Sequence, residues 1–211
     1  MLWCGAVPVT IDHLMMAQIE DEELPATEEY IMNRNGVDFI PLSMVLSAVD
    51  AKLRLEMGAE KMLSRILEPL RERYDAIIID TAPTLGVLNI NALAAADEVI
   101  ITVNPQLLVM MGLQDFLKTV KKIKSRINGK LDVAGILLTM CDARTNLCKV
   151  ITEQVTDTFE GQIRIFDSKI PNTVKVGESV YYSEPLLEYA PECKACEAYE
   201  NLAKELIAYE G

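Results

Sequence analysis

The chain has one histidine, His13, and no acid or cysteine stands near it at metal-ligand or triad spacing. That scarcity excludes a Ser/His/Asp nucleophilic centre and any zinc finger or ribbon, which wants four ligands at short fixed spacings. Basic residues are also scarce: 20 Lys and Arg stand against 32 Asp and Glu, a formal net charge of −12. Bulk electrostatics of that sign argue against nucleic acid as a partner unless a local basic patch supplies the contact. No apolar run approaches the roughly 20 residues of a membrane span. Leu2–Val9 is apolar but carries Pro8 and no preceding positive charge, a poor signal peptide. Five cysteines, an odd number without a secretory signature, fit a reducing cytoplasm. Internal repeats and low-complexity tracts are missing.

What remains is ordinary globular composition. The chain has 211 residues, 50% hydrophobic and 25% charged, enough for a core and expected to form one domain over 1–211. Thr10 is placed to cap a helix over 11–19, and the acid-rich 20–29, interrupted by Pro25, reads as a solvated loop. Gly36 introduces the strand candidate V-D-F-I-P-L. Residues 43–74 read as two helices broken near Gly58. In the second, Met62, Ile66, Leu67 and Leu70 share one face, Lys61, Arg65, Arg71 and Arg73 face water, and Pro69 ends or kinks the segment.

The most informative stretch is Tyr74–Gly86, Y-D-A-I-I-I-D-T-A-P-T-L-G. Ala76–Ile79 reads as a strand buried on both faces, as in a parallel sheet. It stops at Asp80, where a strand's carboxyl end opens into a loop, the place where α/β sheets bind ligands. An acid there can hold Mg²⁺ beside a nucleotide's phosphates, or simply cap the next helix. Beyond it the chain predicts helix 87–96, buried strand 98–103, helix 107–128, strand 132–139, helix 145–159, strand 162–167 and helix 192–209. That alternation means βαβ units and an α/β fold with a mostly parallel sheet flanked by helices.

Two further patterns stand out. In helix 107–128, Leu113, Phe116, Val120, Ile123 and Ile127 form one apolar stripe, while Lys118, Lys121, Lys122, Lys124 and Arg126 gather on the remaining surface. That surface is either a solubilising face or a local contact for a phosphate backbone. Cys193 and Cys196 form a C-x-x-C, but one pair is a weak metal signal, and it falls inside the helical pattern rather than before it.

The run Y-D-A-I-I-I-D-T-A-P-T-L-G-V-L-N-I-N-A-L-A-A-A-D-E-V-I-I resembles the Walker B and switch II region of the ParA/Soj chromosome- and plasmid-partitioning ATPases. Further echoes follow in family order: G-V-D-F-I-P at 36–41, G-I-L-L-T-M-C-D-A-R-T-N-L at 135–147, I-P-N-T-V-K-V-G-E-S at 170–179 and A-Y-E-N-L-A-K-E-L at 198–206. The resemblance implies a P-loop NTPase-like fold of the MinD/ParA superfamily, ATP and Mg²⁺ as cofactors, and a ParB-like partition protein and non-specific DNA as partners; a homodimer is expected separately, because a domain of this kind without its first strand exposes strand edges and apolar surface near the Asp80 strand. It implies Asp80 as the Walker B acid and magnesium ligand, and Thr81, Pro83 and Gly86 as the switch II turn. Met140, Asp142 and Pro171 match the adenine side, and Lys175 matches a basic residue used near DNA, with Lys118 and Lys122 as further DNA-contact candidates. Asn172 stands where the family often has another basic residue.

The sequence also departs from that family. Neither G-x-x-x-x-G-K-[ST] nor K-G-G-x-G-K-[ST] occurs in it, and Met1 is expected to fall just after switch I. The missing loop's N–H groups and lysines cradle phosphates and stabilise transferred charge. The expectation is therefore a ParA-like fold, catalytically inactive as it stands and binding neither cofactor. The alternatives are an incomplete partitioning ATPase and a nucleotide-free interaction module. A receiver-type phosphoacceptor at Asp80 is disfavoured, because no paired-acid strand end precedes it.

Overall fold

The computed structural model describes residues 8–43, 46–82, 86–106, 109–142 and 144–210. The chain divides into two compact units. One runs to Asp97 and takes in Lys122–Leu131; the other comprises Glu98–Lys121 and the chain from Asp132 onward.

The first unit is mainly helical. Helix α1 (Ile11–Ile19) starts at Thr10, whose backbone N–H donates to His13 Nδ1 at 3.2 Å, so the lone histidine closes a helix cap. A short helix, α2 (Thr27–Tyr30), leads into a hairpin of β1 (Met32–Arg34) and β2 (Val37–Phe39), paired antiparallel about Asn35 and Gly36. Both turn residues have positive φ, +52° and +79°, the conformation a two-residue hairpin loop requires. Helix α3 (Leu46–Leu53) ends before Gly58, whose φ of +72° breaks the helical path as the sequence predicts. After a 3₁₀ turn, α4 (Met62–Leu67) stops two residues before Pro69, which lies in a second 3₁₀ turn. Met62, Ile66, Leu67 and Leu70 are buried together with Leu14, Met15, Tyr30, Val49 and Leu53. Helix α5 (Val87–Ala95) completes the unit.

The predicted strand over Ala76–Ile79 is not a strand here. Residues 76–82 form neither helix nor strand, no ladder partner lies beside them among the described residues, and Ile78 is 93% exposed. An apolar β-branched run becomes a buried strand only when neighbouring strands take up its N–H and C=O groups. With none present, the same residues form the wall of a groove.

The second unit holds a three-stranded parallel sheet in the order β3 (Glu98–Val103), β4 (Asp132–Cys141), β5 (Ile165–Pro171). Helix α6 (Val109–Arg126) follows β3, α7 (Asn146–Phe159) follows β4, and α8 (Val174–Tyr182), α9 (Leu186–Tyr189) and α10 (Lys194–Glu210) follow β5. The fold is thus α/β, with a parallel sheet flanked by helices. Ile136 and Leu138 pack with Ile151, Val155 and Phe159 of α7, whereas Ala134, Leu137, Phe166 and Ile170 pack with Leu202 of α10.

Ala134 and Leu137, three apart, share a face because the register slips between Val99 and Ile100, opposite Gly135. A bulge of this kind shifts the parity of every later side chain. Glycine is needed there: a Cβ at 135 would stand 2.9 Å from the Arg164 carbonyl oxygen. Two strand expectations are adjusted. β3 is a half-exposed edge strand rather than a buried one, its outward positions 98, 100 and 102 open to solvent. β5 starts at Ile165, three residues later than expected, because Gly161 turns the chain at φ +76° beyond the end of α7.

Candidate functional site

The groove of the first unit is built around the 76–82 run. It encloses about 990 Å³ and is lined by Ile77, Ile78, Ile79 and Asp80 with Met15, Phe39 and Leu67 among its apolar walls. Asp80 and Thr81 lie exposed at its polar end. Gly86 forms the cap of α5 with an extended backbone, and a Cβ there would come within 3.2 Å of Asp50 Oδ1. Pro83 lies outside the described residues.

Two asparagines that the sequence reading passed over fix this corner. Asn89 Nδ2 donates to the Ala82 carbonyl at 2.8 Å, tying the run's end to α5. Asn91 is fully buried; its Oδ1 accepts from Leu63 N–H and its Nδ2 donates to the Val87 carbonyl, each at 3.1 Å. Two amides set in the apolar sequence of α5 were the available signal, since a buried polar side chain persists only with its partners.

The second group lies at the carboxyl ends of β4 and β5, where parallel sheets place ligands. Cys141 pairs in register with Pro171, and Asn172 N–H donates to the Cys141 carbonyl at 3.0 Å. This places Met140, Asp142 and Pro171 on neighbouring strand ends. Met140 adopts φ +54° and is 62% exposed, with Asn104 Nδ2 3.6 Å from its sulfur. A bulky residue at positive φ is uncommon, and such strain clusters at functional positions. Asp142 accepts from Arg144 N–H at 3.1 Å and from its guanidinium at 2.9 Å. Those Arg144 hydrogen bonds hold the carboxyl below its usual range. Thr145 then caps α7 by accepting from Cys148 N–H.

The lysine candidates fall on two helices. Lys118 and Lys122 are exposed on α6, opposite a stripe in which Leu113, Val120 and Ile123 are buried. Lys118 already pairs with Asp115 at 2.8 Å. Lys175 begins α8, donates to Glu178 at 2.9 Å and lies 5.7 Å from the Tyr189 ring centroid. The Glu178 hydrogen bond raises its pKa above the ordinary lysine value, so it stays cationic but is locally neutralised.

Asp80 is the one carboxylate at the end of the 76–82 run, and the described residues contain no group of three or more His, Cys, Asp or Glu able to hold a metal ion. Magnesium at nucleotide sites takes much of its octahedral shell from water and phosphate oxygens. Among the described residues, no helix is long and apolar enough to cross a membrane.

Comparison with known proteins places this geometry. Residues 6–133 match the AAA domain family (AAA_31). The chromosome-partitioning ATPase Soj of Treponema pallidum is 38% identical over 172 residues, covering 82% of this chain and 67% of that protein. The sporulation initiation inhibitor protein Soj of Bacillus subtilis is 37% identical over 173 residues, covering 82% and 68%. The crystal structure of cobyrinic acid a,c-diamide synthase from Mycobacterium smegmatis, with bound ATP analog and magnesium, superposes with a TM-score of 0.77 at 26% identity, covering 95% of this chain and 72% of that one. The order of strands and helices, the Asp80 run and these relatives agree: the chain belongs to the ParA/Soj family of P-loop ATPases.

Proposed function

We propose that this chain carries the Walker B, switch II and adenine-side portion of a partitioning ATPase that segregates plasmid or chromosomal DNA, and that these 211 residues alone neither bind nor hydrolyse ATP. One observation carries the reading: Asp80 lies exposed at the end of an apolar run, and the sequence has no backbone-amide loop to seat phosphates against it. In this reading Asp80 is the magnesium-side acid, Thr81, Pro83 and Gly86 form the nucleotide-sensing turn, and Met140, Asp142 and Pro171 face the base. A ParB-like protein is the cognate partner. DNA contact through Lys118, Lys122 and Lys175 is weak, given the acidic total and the ion pairs that Lys118 and Lys175 already make. Isothermal calorimetry of the chain with Mg-ATP tests the proposal; no heat of binding at submillimolar nucleotide is expected, and tight binding overturns it.

A second reading, a nucleotide-free interaction module, is favoured by the groove. Backbone at 76–81 that has no ladder partner among the described residues, beside the exposed Ile78, offers the hydrogen-bonding edge and apolar surface that strand addition uses. Self-association without nucleotide is its expected outcome. Light scattering over a concentration series checks it, and a monomer mass throughout removes it.

A further inference from the structure

The C-x-x-C pair is absorbed by neither reading. Sequence periodicity puts it inside helix 192–209, but α10 begins at Lys194, so Cys193 precedes the helix and Cys196 lies in its first turn. The two sulfurs are 3.1 Å apart. Cys196 N–H donates to the Cys193 carbonyl at 2.9 Å and also lies 3.3 Å from Cys193 Sγ, so a first-turn donor of the helix is shared with the thiol. Cys193 is partly exposed, while Cys196 is 1% exposed behind it. This is an accessible sulfur backed by a second within bonding reach, at the positive end of a 17-residue helix.

We propose that Cys193 and Cys196 are a redox-active dithiol that exchanges with small-molecule disulfides. The Cys193 thiolate attacks one sulfur of the disulfide RSSR, forming Cys193–S–S–R and releasing one RS⁻. Cys196, losing its proton to solvent, then attacks the Cys193 sulfur and expels the second RS⁻. The net change is two protein thiols and RSSR converted to one protein disulfide and two RSH, with the small disulfide as oxidant.

The protonation states follow the same division of labour. Partial burial works against the Cys193 anion, but hydrogen bonds from the Cys196 thiol and from the backbone N–H groups of Cys196 and Ala195 hold its pKa below the ordinary thiol value. Burial and the neighbouring Cys193 push Cys196 up. The other thiol pair behaves differently: burial and Cys148 push Cys141 up to about 12, which leaves it unreactive.

Oxidation also has a structural consequence. The Cys196 thiol lies 3.1 Å from the Ala190 carbonyl and 3.6 Å from that of Leu186, the two ends of α9. Forming the disulfide removes that donor and loosens α9, which carries Tyr189 stacked on Tyr182 with ring centroids 5.6 Å apart.

The test treats the full chain with graded ratios of oxidised to reduced glutathione, blocks remaining thiols with N-ethylmaleimide and maps each cysteine by peptide mass spectrometry. The peptide carrying Cys193 and Cys196 is expected to lose both maleimide sites together, while Cys141 and Cys148 keep theirs. Cys196→Ser should trap glutathione on Cys193. Cys193→Ser should slow reaction of this peptide by at least about tenfold, because the buried thiol left behind holds little thiolate. Backbone amides of α9 should exchange faster in the oxidised protein. Maleimide labelling of both cysteines at every ratio, or glutathione on Cys196 rather than Cys193, overturns the proposal.

Discussion

The 76–82 run and strand β4 are chemically alike and end in opposite environments. Each is an aliphatic stretch with β-branched residues, Ala76–Ile79 before Asp80 and Ala134–Leu138 within β4. β4 has β3 on one side and β5 on the other, and Ile136 and Leu138 are fully buried. The 76–82 run has no ladder beside it among the described residues, and Ile78 is 93% exposed. A strand sequence is therefore a demand for partners. Where they are present the residues become core, and where they are not the same residues stay exposed.

Truncation should separate the two most sharply. Leu138→Ala is expected to destabilise the second unit by about 2–5 kcal/mol, through lost transfer energy and an unfilled cavity. Ile78→Ala, at a solvated position, should stay within about 0.5 kcal/mol. Urea denaturation of both variants decides it. An Ile78→Ala cost comparable to that of Leu138→Ala would mean that the run is paired in solution, and the contrast would collapse.

Side-chain amides tie α5 to its neighbours in the first unit, which gives the next test. Asn91→Ala leaves the Leu63 N–H without its acceptor, a cost of roughly 1–3 kcal/mol. Circular dichroism during urea unfolding measures it. A neutral result would show that water replaces the amide and that Asn91 does not organise the groove.

Much of this was legible in the sequence, and the failures have a common cause. Helices with strong 3.6-residue patterning, such as α6 with its Leu113, Val120 and Ile123 stripe, fall where the sequence puts them because their hydrogen bonds are internal. The parallel pairing of β4 with β5 was legible in the alternation of strands and helices, and it sets Met140, Asp142 and Pro171 at neighbouring strand ends. The errors lie in strands, whose hydrogen bonds depend on other segments: 76–79 found no partner, β3 became an edge, and β5 began late. The C-x-x-C was misread for a smaller reason. Two residues of uncertainty at a helix start decide whether Cys193 is an ordinary helical position or a cap. Asn89 and Asn91 were overlooked because periodicity registers apolar residues and gives buried amides no role.

The smallest expected effect concerns the segment on the other side of the groove, where Ile40 and Leu42 contribute to the lining. Asp12, 4% exposed in α1, accepts from the Thr10 hydroxyl at 2.7 Å, from Ser43 N–H at 3.1 Å and from the Ser43 hydroxyl at 2.8 Å. Burial alone would raise its pKa, but the hydrogen bonds from Thr10 and Ser43 outweigh it and bring the native value below 3.8. A carboxyl with a depressed native pKa contributes stability that is present above its unfolded value and lost as pH falls through the native one. Asp12→Asn keeps the shape but removes the charge and one acceptor, so Ser43 loses a partner. The wild-type advantage over Asp12→Asn should be about 1 kcal/mol near neutrality and should shrink steadily as pH drops below 3.8. Paired urea melts of the two proteins across that range measure it. An advantage that does not change with pH would show that Asp12 acts through shape alone, and that the 41–43 segment is held by packing rather than by the carboxylate.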